Sequence, residues 1–265
     1  MISEKNELFD YIFPNPSSSY DYETEGIISI PTKTSQIPCY FLPKSRETKT
    51  LNPKNKLCLY FHGNGEDIGY SYYFLYDLQK SLKLDFLSIE YPGYGTYLSP
   101  KSLIKIKQDS LDIYDYLIDE AKFNSNNIII MGRSLGSGPA SYLASKRKIA
   151  SLIIISGFSS LSKFIRELFP AKFKDFQFMN EEEEFDNLKD IGESKDPVCL
   201  IHGRKDNLIK IEHAMEIEEK MKNRENFHVF YRDLMTHNSF NVKLDIIASI
   251  KSFFAKIGLE IINEL

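Results

Sequence analysis

Apolar residues in this chain fall into short, nearly unbroken runs separated by longer stretches with helical spacing. The runs Ile27–Pro31, Gln36–Leu42, Lys56–Phe61, Leu84–Glu90, Asn127–Met131, Ser151–Ser156, Pro197–Ile201 and Phe227–Tyr231 read as strands. The first two, joined around Thr32-Lys33-Thr34-Ser35, read as a hairpin. Helices are predicted over Asp67–Leu82, capped by Asp67, and from Ser99-Pro100 to about Lys122, where a capping serine precedes proline at the first helical position. Further helices are predicted at Leu135–Ser145, Ile209–Met221 and Lys243–Ala255. Apolar strands alternating with helices predict an α/β fold built on a mostly parallel, doubly wound sheet of about eight strands. Crossovers are then right-handed, and ligands bind at the carboxyl ends of the strands.

Residues 1–25, with Phe13-Pro14-Asn15-Pro16-Ser17-Ser18-Ser19-Tyr20, read as an extended, proline-fixed segment packed on the domain, and residues 26–265 as a single catalytic domain. The interval 157–196 has room for a helix or two, hence little or no cap domain. Its run Glu181-Glu182-Glu183-Glu184 reads as a solvated loop or helix start.

Composition narrows the classes. At 42% apolar and 26% charged, the 265 residues are those of an ordinary globular protein large enough for a full core. A net charge of −4 without a basic block argues against nucleic acid as a partner. Cys39, Cys58 and Cys199 lie inside strand-like runs without CxxC pairing, as expected of buried, reduced thiols rather than a zinc site, and no metal or cofactor is called for. The start Met1-Ile2-Ser3-Glu4-Lys5-Asn6-Glu7 lacks the basic and apolar segments of a signal peptide, and Ile2 excludes N-myristoylation. A cytoplasmic monomer or weak oligomer is expected, with peripheral membrane contact left open.

Gly132-Arg133-Ser134-Leu135-Gly136 follows the run Asn127–Met131 and precedes a helix. Strand, G-x-S-x-G turn and helix together describe a nucleophile elbow with Ser134 as nucleophile. A serine hydroxyl needs a base, and histidine has the suitable basicity. Of the five histidines, His62 opens the loop after a strand, where it reads as a structural residue orienting that loop. His202 ends a strand, and His213 and His228 read as structural or surface residues. His237, in the polar loop after the last strand, is the candidate base. Asp206, in the loop after Ile201-His202-Gly203, is the candidate partner that fixes the imidazole tautomer. Its competing reading is the N-cap of the segment starting near Leu208, and the two roles are expected to exclude each other. The backbone N–H groups of Leu135 and Asn64 are the candidate oxyanion donors, with Gly63 beside the substrate. Tyr91-Pro92-Gly93-Tyr94-Gly95 either lines the acyl site through Tyr94 or is a structural turn.

With these motifs in place the chain resembles the α/β-hydrolase-domain proteins, and most of all the branch containing the protein depalmitoylases. The resemblance is carried by Phe13-Pro14-x-Pro16-Ser17, Tyr60-Phe61-His62-Gly63-Asn64-Gly65-Glu66-Asp67-Ile68-Gly69, Glu90-Tyr91-Pro92-Gly93-Tyr94-Gly95, Met131 to Pro139, the loop to Asp206, and His237-Asn238. It implies Ser134 as nucleophile, His237 as base, Asp206 as its orienting acid, and hydrolysis of acyl esters or thioesters, an acylated protein among the candidate substrates. Depalmitoylases of this branch generally carry a cysteine-rich N-terminus, whereas residues 1–38 here contain no cysteine. A serine aminopeptidase-like peptidase and a non-catalytic hydrolase-fold binding module are the alternative readings.

Overall fold

The computed structural model describes residues 13–14, 16–33, 35–45, 50–178 and 180–260. The acidic start of the chain and Asn15 of the proline-containing segment lie outside the described residues. The strands are β1 (Ile27–Pro31), β2 (Gln36–Leu42), β3 (Leu57–Phe61), β4 (Asp85–Ile89), β5 (Ile128–Arg133), β6 (Ser151–Ile155), β7 (Val198–Gly203) and β8 (Phe227–Arg232). They form one sheet in the order β1-β2-β4-β3-β5-β6-β7-β8. β1 and β2 are the expected antiparallel hairpin, β2 also runs antiparallel to β4, and every later pairing is parallel.

The helices are α1 (Ser71–Leu82), α2 (Leu103–Asp119), α3 (Ser137–Lys146), α4 (Leu161–Leu168), α5 (Asn187–Glu193), α6 (Ile211–Met221) and α7 (Ala248–Lys256). Alternate strand residues sort them to the two faces. Leu57, Leu59, Ile128, Ile130, Leu152, Ile154, Val198 and Leu200 share a core with residues of α2 through α6. Cys58, Tyr60, Ile129, Met131, Ile153, Ile155, Cys199 and Ile201 share the other with α1 and α7. Strands buried on both faces are apolar at successive positions, which is why the sequence shows runs rather than alternation. The three cysteines are buried and unpaired, and burial pushes their thiol pKa values up.

Two predicted helix starts are displaced. α1 begins at Ser71, and Asp67 caps the turn before it, accepting from the Tyr70 N–H at 2.9 Å. The same carboxylate accepts from the N–H of Ser19 at 2.6 Å and from its hydroxyl, so Asp67 moors the N-terminal segment. α2 begins after Ser102, whose hydroxyl accepts from the Lys105 N–H at 3.2 Å. Ser99-Pro100 has the capping composition, yet 93–99 is spent in turns, and the buried Leu103 and Ile106 set where the helix meets the sheet. Between β6 and β7 lie α4, a short 3₁₀ turn at Glu181–Glu183 and α5, in keeping with the small interval there. The last helix opens with a π-helical turn, Val242–Ile247, whose preceding Asn241 accepts from the N–H groups of Lys243 and Leu244. Among the described residues no helix is long and apolar enough to cross a membrane.

The elbow after β5 is jammed against the end of β3. A Cβ on Gly136 would lie 2.1 Å from the Phe61 carbonyl oxygen, and one on Gly132 would lie 2.2 Å from that of Gly136. Both obstacles are backbone atoms that cannot rotate aside. Gly136→Ala is expected to destabilise by about 3 kcal/mol. Gly192→Ala, inside α5 with only the tip of Met221 at 3.4 Å, is expected to be neutral or to stabilise by about 0.5–1 kcal/mol. Urea unfolding midpoints of the two variants check this, and equal midpoints would contradict the packing.

Candidate active site

Ser134 stands at the end of β5 with φ of 54°, in the left-handed region that few residues other than glycine adopt. Residues Ser134–Gly136 make a 3₁₀ turn that runs straight into α3. The turn reverses the chain so tightly that the serine side chain is thrown toward the carboxyl edge of the sheet, the geometry of a nucleophile elbow. Ser134 is 7% exposed, so its hydroxyl sits at the floor of the site rather than on the surface.

Its partner comes from the far side of the sheet. The hydroxyl donates to His237 Nε2 at 2.9 Å, and His237 Nδ1 donates to Asp206 Oδ2 at 2.8 Å. His237 lies in the loop after β8, where Thr236 and Ser239 bond to each other through backbone and side chain. Asp206 lies in the loop after β7. The two loops are laced together, since the Arg204 N–H donates to the Arg232 carbonyl and the Lys205 N–H to that of Met235. A Cβ on Gly203 would stand 2.2 Å from the Met235 carbonyl oxygen, so only glycine allows this approach.

Asp206 performs both roles that the sequence set against each other. While Oδ2 holds the imidazole, Oδ1 accepts from the N–H groups of Leu208 at 3.0 Å and Ile209 at 2.9 Å. A carboxylate has acceptor sites enough on two oxygens, and the sequence reading treated it as one. Burial pushes this carboxyl's pKa up, but the His237 bond and charge and the Ile209 N–H outweigh it, and the net shift is downward. His202 stands 3.8 Å from Asp206, donates from Nε2 to the Ile209 carbonyl at 2.8 Å, and burial lowers its pKa, keeping it neutral.

The loop after β3 is built on a buried acid. Glu90 accepts from His62 Nε2 at 3.1 Å, the Tyr20 hydroxyl at 2.9 Å, the Ile68 N–H at 3.2 Å and the Tyr91 N–H at 3.0 Å. His62 also donates from Nδ1 to the Gly63 carbonyl at 2.9 Å and stacks on Tyr91 with ring centroids 4.0 Å apart. Burial works to lower the His62 pKa, yet the bond and charge of Glu90 and the Gly63 carbonyl win, and it is raised. Each ring nitrogen of His62 thus faces an acceptor beneath the loop. Gly63 is buried, with a hypothetical Cβ 3.3 Å from the Arg133 guanidinium, and Asn64 is exposed at the loop tip. Tyr94, read either as lining the acyl site or as part of a structural turn, is fully buried and donates its hydroxyl to Asn64 Oδ1 at 2.8 Å. It reaches the site through Asn64. Leu135 follows Ser134 within the 3₁₀ turn, buried against the core.

Sequence reasoning passed over Glu90 and Arg133. Glu90 closes an otherwise unremarkable apolar run, and only the folded chain converges four donors on it. Arg133 was read merely as the variable position of the elbow. His213 is buried on α6 with Nδ1 facing the N–H and hydroxyl of Ser159 at 3.1 and 2.9 Å. It takes no part in the chain of bonds through Ser134.

An eight-stranded, mostly parallel sheet with an elbow serine after its central strand β5, and His237 and Asp206 in the loops after β8 and β7, defines an α/β-hydrolase of the serine hydrolase superfamily. Residues 105–257, more than half of the chain, match the prolyl oligopeptidase family, and the chain belongs to that family. That stretch carries Ser134, Asp206 and His237 and leaves out Asn64. The chain is also similar to human alpha/beta hydrolase domain-containing protein 17B, 28% identical over 202 residues that cover 75% of this chain and 65% of the relative. It therefore spans less than two thirds of that relative's own length. This likeness agrees with the resemblance to the depalmitoylase branch. Among solved structures, an esterase of Pyrococcus furiosus superposes with a TM-score of 0.71 at 16% identity, covering 92% of this chain and 97% of that one. The acylaminoacyl peptidase of Pyrococcus horikoshii superposes with a TM-score of 0.65 at 14% identity, covering 86% of this chain and 41% of that one. At such identities the likeness speaks for the fold alone.

The left-handed turn predicts a reversal of the usual order of alanine and glycine. Ser134→Ala and Ser134→Gly both lose the bond to His237, but only glycine relieves the backbone. Ser134→Gly is expected to be more stable than Ser134→Ala by about 1 kcal/mol. Equilibrium unfolding decides it, and an alanine variant at least as stable as the glycine one would show the turn to be unstrained.

His213 predicts a dependence of stability on pH. Burial, with the nearby positive charge of Lys163, pushes its pKa down to about 4. In the unfolded chain it takes a proton near the ordinary value of about 6.5, so from there down to pH 4 the unfolded state binds more protons. Stability is full above that window and falls as pH drops through it, by on the order of 3 kcal/mol at most. His213→Asn, which keeps an acceptor toward Ser159, should flatten the decline. Urea midpoints at pH 7.5 and 4.5 for both proteins provide the check, and parallel declines would refute the assignment.

Proposed function

We propose that this chain hydrolyses acyl esters or thioesters through an acyl-enzyme intermediate on Ser134. The observation that carries the reading is the unbroken chain Ser134 Oγ to His237 Nε2 to Asp206 Oδ2, at 2.9 and 2.8 Å, hung on a left-handed elbow. Ser134 Oγ attacks the acyl carbonyl carbon as its proton passes to His237 Nε2. The carbonyl oxygen, now negative, is received by the backbone N–H groups of Leu135 and Asn64. Collapse expels the alcohol or thiol, which takes the proton from His237. A water molecule deprotonated by the same nitrogen then attacks the acyl-serine and releases the acid.

Asp206 remains a carboxylate throughout the neutral range because its pKa is lowered, so it holds the Nδ1 proton and stabilises the imidazolium as it forms. Tyr94 and His62 act on Asn64 and Gly63 from below, fixing the loop that receives the oxyanion. The resemblance to the depalmitoylase branch supports S-acyl protein thioesters or lipid esters as substrates, and with them a cytoplasmic enzyme that touches membrane surfaces. The family match supports a peptidase as the second reading. Against it stands the interval between β6 and β7, where two short helices leave little material to select peptide ends.

A fluorophosphonate probe should label the protein at Ser134, and Ser134→Ala should abolish labelling. An unlabelled native protein, or a labelled alanine variant, would sink the proposal. Comparing p-nitrophenyl esters, acyl thioesters and aminoacyl arylamides separates the esterase and peptidase readings. The two oxygens of Asp206 can be told apart as well. Asp206→Asn keeps an oxygen for Leu208 and Ile209 but turns an amide N–H toward His237, forcing the wrong tautomer. It is expected to lower kcat by about 10⁴-fold at near-native stability. Asp206→Ala should lose activity and also about 1–2 kcal/mol, because both N–H groups are uncapped.

A further inference from the structure

Arg133 precedes the nucleophile, yet its side chain bonds to neither Ser134 nor Asp206. It is 11% exposed, wedged between the loop after β3 and the loop after β8. Nη1 donates to the Glu66 carboxylate in the first loop. Nη2 donates to the His237 carbonyl at 3.2 Å and to Asn238 Oδ1 at 3.3 Å in the second. The guanidinium carbon lies 5.5 Å from the centre of the Phe240 ring, and Phe240 in turn packs edge-on against Phe74 of α1. One planar cation thus ties together three segments, namely the elbow, the oxyanion loop and the loop of the base. A lysine, with a single point of charge, cannot reach all of these acceptors in one plane.

We propose that Arg133 is a positioning residue that sets the placement of His237 and of the Asn64 loop relative to Ser134. This rests on the triad reading above. Each bond Arg133 makes falls on backbone or side chains in or beside the reacting groups, so its loss frees both loops to shift relative to Ser134. The other bonds described for these loops hold each one separately, the loop after β3 through Tyr94 and Glu90 and the β8 loop through Asp206 and the backbone of the β7 loop, whereas Arg133 bonds to both. A glycine within the first loop also matters. Gly63 leaves room for the guanidinium, whose Nη1 would stand 3.3 Å from a Cβ there. Burial pulls the Arg133 pKa down, but the charge and bond of Glu66 outweigh it and the net shift is upward, so the guanidinium remains a cation.

The test uses Arg133→Met, Arg133→Lys and Glu66→Gln in the full chain. Displacement of a reacting group by about 1 Å costs on the order of 100-fold. Arg133→Met is therefore expected to slow fluorophosphonate labelling of Ser134 and kcat on p-nitrophenyl butyrate by roughly 10- to 100-fold, with KM little changed. Arg133→Lys should recover part of the loss, and Glu66→Gln should show a smaller one. Hydrogen–deuterium exchange reads the clamp independently of catalysis. Peptides spanning 62–69 and 233–241 should exchange at least about 10-fold faster in Arg133→Met, while β5 and β6 keep native protection. Native exchange in both peptides, or a kcat equal to that of the unaltered protein, overturns the proposal. Absence of labelling in the unaltered protein counts against the triad reading instead, and the exchange data still decide the clamp. Should Arg133→Met fail to fold, the same measurements on Arg133→Lys and Glu66→Gln decide it.

Discussion

A single backbone contact governs how this molecule brings Ser134 beside the loop after β3. The turn at Ser134 can be left-handed and tight only because Gly136 lets α3 begin in contact with the Phe61 carbonyl at the end of β3. Phe61 pairs with Gly132 in the parallel register of β3 and β5, so the strand that delivers the serine lies beside the strand that delivers His62 to Asn64. Ser134 and the loop carrying Asn64 are neighbours by sheet register, before any side chain has chosen a partner. A residue held at φ of 54° stores unfavourable backbone energy, and the close packing around it is what keeps the strain from relaxing.

Around that contact the protein spends buried charge to hold loops still. Glu90 is fully buried and accepts four hydrogen bonds, one from a histidine that burial alone would have left neutral. Breaking such a pair is costly because the remaining charge has no solvent to turn to. Tyr20 brings the N-terminal segment into the same cluster, and Ser19 ties it to Asp67. The described part of the segment that was expected to pack on the domain is thus tied in beneath the loop after β3. On the other side of the elbow Arg133 and Asp206 do comparable work, each bonding two segments distant in sequence.

Where the sequence reading failed, it failed at ends and at shared atoms. Asp67 and Ser99-Pro100 both have capping composition, but helix starts were decided by which apolar residues reach the sheet, Leu75 in one case and Leu103 in the other. Propensity at a cap is worth about 1 kcal/mol, less than burying one large apolar side chain. Asp206 was treated as a choice between base partner and cap, although two oxygens can serve both. Tyr94 was left between lining the acyl site and a structural turn, because its depth and its hold on Asn64 depend on packing against His62 and Tyr91.

By itself the sequence determined the strands, their mostly parallel arrangement and the order serine, aspartate, histidine. Runs of apolar residues on both faces of a strand leave no other way to be buried, and a serine between glycines after such a run leaves few other turns. Tertiary structure alone decided which donors converge on Glu90, that Asp206 divides its oxygens, and that Arg133 spans two loops. Those are contacts between residues as many as 105 positions apart, set by a sheet order that places β3 next to β5 and β7 next to β8. Local preference carries no information about such distances, because the free energy that selects them comes from closing the whole core at once.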